Sequence, residues 1–215
     1  MVRPHAVDKT CAGVAIIRPV RSPIDSTIDR LLLLYLLKVA APFGIDGDVK
    51  FQQLVFLSEL QLFGKQAKGF HYRFFRYAYG GYSKELQDDF LALGAKKFVD
   101  PATWKLTAAG ETVIKVFPSA VACHADNEIV ATIIWEIVRA YGKYDSAGIV
   151  PAVEKIELIL PEKPDADAEG VSQQETLPLG HVSFHATLLV PERIETPVAF
   201  QLKDELLVVL QDVLK

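Results

Sequence analysis

Residues 74–90, FFRYAYGGYSKELQDDF, combine residue types that could carry out three kinds of chemistry. A glycine turn that leads into a helix can hold a phosphate group. A serine at a strand-to-helix turn can act as a nucleophile. Two nearby carboxylates can exchange protons with a substrate. Each chemistry requires a defined spacing, so the spacing decides among them.

The glycines and the serine lack the spacing of a phosphate loop or a nucleophile elbow. Gly80 and Gly81 are not part of a G-x-x-x-x-G-K-[ST] pattern, and Glu85 places a negative charge in the first turn of the following helix. Glu85 also stands where the elbow G-x-S-x-G requires a glycine. We therefore predict that Ser83 is the N-cap of a helix and not a nucleophile.

Geometry argues against the paired acids as catalytic groups and against the histidines as metal ligands. Asp88 and Asp89 are neighbours on a predicted helix, so their side chains point about 100° apart, and we expect both on its solvated face. His181 and His185 lie in an alternating, strand-like segment, where four residues span about 13 Å, too far to share one metal ion. We predict from these exclusions a protein that is not an enzyme and has no metal site and no cofactor.

Nucleic acid is the strongest competing ligand. Basic residues interleaved with aromatic ones are frequent in residues 65–105, and the candidates are Lys65, Lys68, Arg73, Arg76, Lys96, Lys97 and Lys105. A winged helix usually reads DNA with the helix that corresponds here to residues 84–93. The expected outer face of that helix carries Gln87, Asp88 and Asp89, which would repel phosphates. DNA binding through the wing alone stays open as an alternative.

Hydrophobic periodicity predicts the elements that position these residues. Helices are expected after a cap at Asp25 or Ser26, after Asp48 and after Ser83, because apolar residues recur there at helical spacing. In the second of these helices, polar residues including Gln52, Ser58, Glu59 and Gln61 are expected to face water.

An aromatic strand over residues 72–79 is expected to end at Gly80 and Gly81. Phe75, Tyr77 and Tyr79 should then lie between this strand and the next helix, and Tyr82 is the aromatic residue with an expected surface role. A hairpin at residues 97–106 follows, then a helix capped by Thr107 and another over residues 127–141 with Ile129 on its apolar side.

The character of the chain changes after residue 150. Residues 151–215 hold twelve acidic against five basic residues, whereas residues 1–150 hold fifteen against eighteen. Strand-like runs occur at 14–17, 156–160 and 182–190, and at least two of them should pair, because a lone strand leaves its backbone groups unsatisfied.

The remaining C-terminal residues complete this predicted layer. Residues 161–178 are expected to form an exposed acidic loop, and residues 197–214 an amphipathic helix over one face of the paired strands. The expected fold class is α+β and mostly helical. It comprises an N-terminal arm (1–22), a winged-helix-like body (23–150) and a small appended β–α layer (151–215).

Several short pieces in the body occur in the order typical of a known group. They are LLLLYLLK, FQQLVFLSEL, FRYAYGGYSKEL, DDFLALG and WKLTAAG, which together make residues 31–112 resemble the YwgA-like and Panacea group of small bacterial, archaeal and phage proteins. Members typically show Gln-Lys-Leu in the second piece and Tyr-Gly-Pro-Tyr-Ser in the third. Here Gln53 stands in place of the lysine and Gly81 in place of the proline.

The resemblance implies a winged-helix-like interaction domain, often the antitoxin half of a toxin–antitoxin pair. We therefore expect a non-enzymatic, antitoxin-like protein that binds and neutralises a partner protein, such as a toxin encoded nearby. A DNA-binding transcriptional regulator is the alternative. The surface proposed for the partner comprises Tyr79, Gly80, Gly81, Tyr82, Ser83 and Glu85.

Composition and the chain start favour a cytoplasmic location. The longest strongly apolar run, LLLLYLL, has seven residues, whereas a bilayer requires about 20. The first residues lack an apolar core of signal-peptide length. Cys11 and Cys123 have no C-x-x-C neighbour, which fits a reducing compartment. We expect no membrane contact.

Overall fold

A computed structural model describes residues 21–159, 176–184, 188–191 and 198–215. Its helices are α1 (Pro23–Ala40), α2 (Asp48–Gly64), α3 (Lys84–Ala95), α4 (Ala108–Val113), α5 (Phe117–Val121), α6 (Ala125–Tyr141), α7 (Ser146–Glu154) and α8 (Asp204–Leu214). Its strands are β1 (Ala67–Lys68), β2 (Phe75–Tyr77), β3 (Gly80–Tyr82), β4 (Val99–Asp100), β5 (Lys105–Leu106), β6 (Glu157–Ile159), β7 (Thr176–Pro178) and β8 (Val198–Ala199). The predicted fold class, mostly helical α+β, is confirmed.

The helices α1 and α2 form the centre of the molecule. α1 contacts α3, α6 and α8, while α2 contacts α6, α7 and the strands β1 and β3. Four consecutive leucines of α1 are fully buried, Leu31 to Leu34, because neighbours surround the helix on several sides. Each buried leucine contributes about 1.5–3 kcal/mol relative to an exposed one. The core therefore lies around these two helices.

Burial of α2 corrects the prediction for its polar residues. Gln52, Ser58 and Glu59 are buried rather than solvated, and of the four predicted surface residues only Gln61 is exposed. The prediction was wrong because it assumed that these polar residues share one solvated face, whereas α2 packs against two helices, α6 and α7, and two strands, β1 and β3. A similar error affects Ile129 of α6, which is exposed.

The first two helices begin differently from the prediction. Ser22 caps α1: its hydroxyl accepts from the backbone N–H of Asp25, and the Asp25 carboxylate accepts from the N–H of Ser22. Asp25 is thus the third helical residue of a capping box, and the predicted cap at Asp25 or Ser26 is wrong. Asp48 is the first residue of α2 and makes no capping bond, since Gly47 occupies the N-cap.

Two other predicted caps are confirmed, together with the second hairpin. The hydroxyl of Ser83 accepts from the N–H of Leu86 at the start of α3, and that of Thr107 accepts from the N–H of Gly110 at the start of α4. Between these helices β4 and β5 pair antiparallel. The order of elements from α1 to α4 differs from the prediction in two places. The short strand β1 follows α2, and a hairpin replaces the single strand before α3.

That hairpin contains the Gly-Gly pair inside its second strand. β2 pairs antiparallel with β3, and Tyr77 lies opposite Gly80, so Ala78 and Tyr79 form a two-residue turn. Gly80 has φ +112°, a conformation that residues with a side chain rarely adopt. The glycines therefore reverse the chain into a second strand instead of ending a single long one over residues 72–79, as predicted.

The C-terminal elements differ from the predicted layer. The strand expected at 156–160 is found as β6, but it pairs with β7, which lies in the predicted loop. Residues 182–190 form no regular strand where they are described. Leu188 makes one isolated bridge to Phe75, and His181 ends a 3-10 turn. The predicted strand at 14–17, most of the predicted loop and His185 lie outside the described residues.

The last helix packs on the body rather than over β6 and β7. α8 begins at Asp204, contacts α1, and follows β8, which pairs parallel with β1. Arg30 and Lys96 donate to the carbonyls of Leu214 and Val213 at its C-terminal end, where positive charge is favourable. The proposed domain boundaries stay predictions, but these contacts tie residues 198–215 to α1 and β1.

Carboxylates from three helices hold the segment that leads into the β2–β3 hairpin. Residues 70–73 belong to no strand. Glu59 of α2 accepts from the N–H of Phe70 at 3.0 Å, and Asp29 of α1 accepts from that of His71 at 2.9 Å. Glu85 of α3 accepts from the N–H of Arg73 at 3.0 Å. We name these three acids the carboxylate clamp.

Cations complete this network around Asp89, whose predicted place on a solvated face is wrong. Asp89 is only 2% exposed. It accepts from the Tyr72 hydroxyl at 2.9 Å and forms ion pairs with Arg21 at 2.7 Å and Arg30 at 2.9 Å. Its neighbour Asp88 is exposed, as predicted, and pairs with Lys84. The buried acid thus joins the residues before α1 to α1 and α3.

Substitution of Gly81 tests the close approach of the hairpin to α2. A Cβ atom at Gly81 would lie 2.7 Å from ring atoms of Phe56, which is buried and cannot retreat. We expect Gly81→Ala to lower the free energy of unfolding by about 1–3 kcal/mol, measured by urea denaturation. Gly64→Ala is the matched control, since nothing lies within 4 Å of its added Cβ. Equal stability of the two variants would contradict the close contact between Gly81 and Phe56.

A pH dependence is expected from His71, which lies 2.9 Å from Asp29 and 3.5 Å from Asp25. Burial disfavours the imidazolium and Lys68 opposes it, but the two aspartates prevail, so the pKa of His71 is raised. A raised pKa stabilises the folded state fully below about pH 6.5, the unfolded value, and this contribution is lost as the pH rises through the folded pKa.

The measurement is the free energy of unfolding in urea across that pH window. The wild-type value should fall as the pH rises above about 6.5, and His71→Gln should remove most of this slope. His124→Gln, at an exposed position, should retain it. Arg21 also interacts with Asp29, and Glu59 interacts with His71. If His71→Gln keeps the same pH slope as His124→Gln, a group other than His71 causes the pH dependence.

Candidate partner-binding site

Three tyrosines dominate the surface of the β2–β3 hairpin. Tyr79 is 61% exposed and Tyr77 47% exposed, whereas Tyr82 is half-buried. The rings of Tyr77 and Tyr82 are in contact, with centroids 5.1 Å apart. The prediction that Tyr77 and Tyr79 lie inside is wrong, because Tyr77 is the last residue of β2 and Tyr79 lies in the two-residue turn that follows it. The exposed pair is therefore Tyr77 and Tyr79.

Two consecutive glutamines of α2 occupy the outer edge of β3. The amide of Gln53 donates to the carbonyl of Gly81 at 3.0 Å and accepts from its N–H at 3.1 Å. The amide of Gln52 makes the same two bonds with the backbone of Ser83, at 3.1 and 3.0 Å. Together they satisfy the backbone as a neighbouring strand would. The hairpin is thereby fixed to the central helix.

A pocket of about 340 Å³ lies between the start of α2 and the hairpin, and we name it the glutamine pocket. It is lined by Asp48, Val49, Gln52, Gln53, Tyr77, Tyr79, Gly80, Gly81 and Tyr82. A second pocket of about 390 Å³ also borders the hairpin, and we name it the charged pocket. It is lined by Arg73, Phe75, Tyr77, Tyr82, Lys84, Glu85 and Asp88. The two pockets share Tyr77 and Tyr82.

The structure brings most of the predicted partner-binding residues together. Tyr79, Gly80, Gly81 and Tyr82 line the glutamine pocket, and Glu85 lines the charged pocket. Ser83 is buried behind them as the cap of α3. Sequence reasoning missed Asp48, Gln52, Gln53 and Tyr77. The available signal was the Gln-Gln pair within an otherwise apolar helical run.

Several of the predicted nucleic-acid-binding residues are engaged in internal contacts. Lys68 pairs with Glu59, and Arg73 with Glu85. Lys96 donates to the carbonyl of Val213 at 3.2 Å. Such contacts hold these cations against the protein and reduce the positive charge available to a phosphate.

Arg76 is buried beneath the hairpin. It pairs with Glu154 of α7 at 3.0 Å and donates to the carbonyl of Leu179 at 3.1 Å. Its guanidinium also lies over the ring of Phe184, 5.1 Å from the centroid. Among the predicted basic residues, four are exposed: Lys65, Lys96, Lys97 and Lys105. Lys96 and Lys97 precede β4, and Lys105 lies in β5. The structure does not bring the seven into one basic face.

No family model, curated protein or solved structure matches this chain. Within the part of the chain that the structure describes, no helix has both the length and the apolar character needed to cross a membrane. The described residues also contain no cluster of three His, Cys, Asp or Glu side chains suited to a metal ion. The site is therefore interpreted from its own geometry.

Removal of the Gln53 amide tests whether its two hydrogen bonds to Gly81 replace those of a neighbouring strand. Gln53→Ala leaves the buried N–H and carbonyl of Gly81 without partners, and we expect a loss of about 1–3 kcal/mol in unfolding free energy. Hydrogen exchange at the Gly81 amide should accelerate in the same variant. Gln61→Ala, on the exposed side of α2, should change neither quantity. Unchanged exchange at Gly81 would mean that the hairpin does not depend on this amide.

Proposed function

We propose that this chain is a non-enzymatic protein-interaction module whose β2–β3 hairpin binds a partner protein. The observation that carries the proposal is the pair of exposed rings, Tyr77 and Tyr79, on a backbone anchored to the core. The resemblance to the Panacea group suggests the role: an antitoxin-like protein that holds its partner inactive.

The energetics of the hairpin favour recognition by side chains. Tyrosine is enriched in protein interfaces, because its ring gives apolar contact area and its hydroxyl a hydrogen bond. The Gln52 and Gln53 amides occupy one edge of the hairpin, and the bridge from Leu188 to Phe75 covers part of the other. A partner would thus contact the rings and the two pockets rather than add a strand.

An anchored hairpin also lowers the entropic cost of binding. Association must offset the ordering of loops and side chains at an interface. Here the turn is already fixed by the glutamines and, from below, by Arg76 with Glu154. The tyrosines are therefore presented on a backbone that needs little further ordering.

DNA binding, the alternative, has less structural support. The exposed Lys97 and Lys105 near the β4–β5 hairpin favour it. Lys68, Arg73, Arg76 and Lys96 are committed to internal contacts, however. The remaining exposed lysines are few for a site whose affinity depends on phosphate neutralisation.

The test is copurification of the chain with the products of neighbouring genes, with rescue of a toxic neighbour by co-expression as the activity measurement. We expect one stable complex, and Tyr77→Ala and Tyr79→Ala should each weaken it by about 2 kcal/mol, as expected for interface hot spots. Val208→Ala, which truncates a 65% exposed residue on α8, is the matched control.

The opposing outcomes are specific. If no product associates and none is neutralised, the proposal is wrong. Salt-sensitive retention of the upstream DNA, abolished by Lys97→Ala with Lys105→Ala and unaffected by the tyrosine variants, would establish the alternative.

A further inference from the structure

One acidic side chain lines the glutamine pocket. Asp48 is the one charged side chain that lines it. Its Oδ1 atom is buried and makes no hydrogen bond within the described residues. Lys50, two residues further on, interacts instead with Asp46 and Asp145. The pocket therefore presents negative charge that no lining cation balances.

Aromatic rings accompany this carboxylate. Tyr77, Tyr79 and Tyr82 line the same pocket. The face of an aromatic ring attracts a cation electrostatically, and the attraction strengthens when water is excluded. A carboxylate combined with aromatic rings is a set of groups that recognises a cationic ligand. The volume of about 340 Å³ is sufficient for a side chain of a partner.

We propose that the glutamine pocket binds an arginine side chain of the partner protein, with the guanidinium donating to the Asp48 carboxylate and lying against the tyrosine rings. The inference rests on the proposed function, since the partner supplies the arginine. Arginine fits better than lysine, because its planar group can stack on a ring while it makes two parallel bonds to a carboxylate.

A pH dependence of binding follows from Asp48. Burial raises the pKa of Asp48, and a hydrogen bond from the Gln52 amide offsets this only in part. The guanidinium binds the ionised carboxylate, so its affinity should rise as the pH increases through the pKa of Asp48. No comparable change is expected for an uncharged ligand.

The experiment titrates the full chain with Nα-acetyl-arginine amide and with its uncharged analogue Nα-acetyl-citrulline amide, followed by NMR at the amides of Gly80 and Gly81. We expect the arginine compound to bind at least about tenfold more tightly. Asp48→Asn should abolish the difference, and Tyr79→Ala should weaken it. Asp88→Asn, in the charged pocket, is the matched control and should leave it unchanged.

Equal binding of the two compounds, no saturable shift at Gly80 and Gly81, or an unchanged preference in Asp48→Asn would each overturn the inference. If Asp48→Asn does not fold, the pH profile and Tyr79→Ala decide the question in its place. If a partner binds Asp48→Asn as tightly as wild type, the inferred arginine site is wrong, but the proposed function still stands. If the arginine compound binds but no partner protein associates with the chain, the pocket binds arginine and the proposed function is wrong.

Discussion

The structure depends on three carboxylates from three different helices, of which Asp29 and Glu59 are buried and Glu85 is partly exposed. Asp29, Glu59 and Glu85 accept the backbone N–H groups of residues 71, 70 and 73, none of which belongs to a strand. A buried N–H without an acceptor is costly, and so is a buried carboxylate without donors. Each N–H group supplies a donor to a carboxylate, and each carboxylate supplies an acceptor to an N–H group. Together these bonds tie α1, α2 and α3 to one short piece of backbone.

The position of the candidate site follows from this constraint. The held segment leads directly into β2, so the start of the hairpin is fixed by the clamp and its outer edge by Gln52 and Gln53. Arg76 secures the underside through Glu154 and Leu179. The side chains of Tyr77 and Tyr79 at the turn remain exposed. A firmly held backbone with exposed rings at its tip is a geometry suited to recognition.

The features that the sequence predicted correctly, helix caps and a hairpin, depend on interactions between residues close in sequence. The caps at Ser83 and Thr107 and the hairpin at 97–106 needed only turn chemistry and alternation, and all three are present. The buried positions of Glu59 and Asp89 could not be predicted, because periodicity assigns charged residues to water and their partners are distant in sequence. The pairing of β6 with β7 likewise joins residues that are distant in sequence, so no local pattern encodes it. Tyr77 was missed as a site residue because a single long strand was assumed, in which its ring was expected to lie inside.

The bond between Gln53 and Gly81 links the two departures from the pattern that the sequence resembles. In that pattern a lysine and a proline stand at these positions. Lysine can only donate, and proline has no N–H to be accepted, so one donor to the carbonyl is sufficient there. Glycine retains its N–H and requires a side chain that also accepts, which the amide of Gln53 provides. The side chain at position 53 must therefore both donate and accept for as long as residue 81 keeps its N–H.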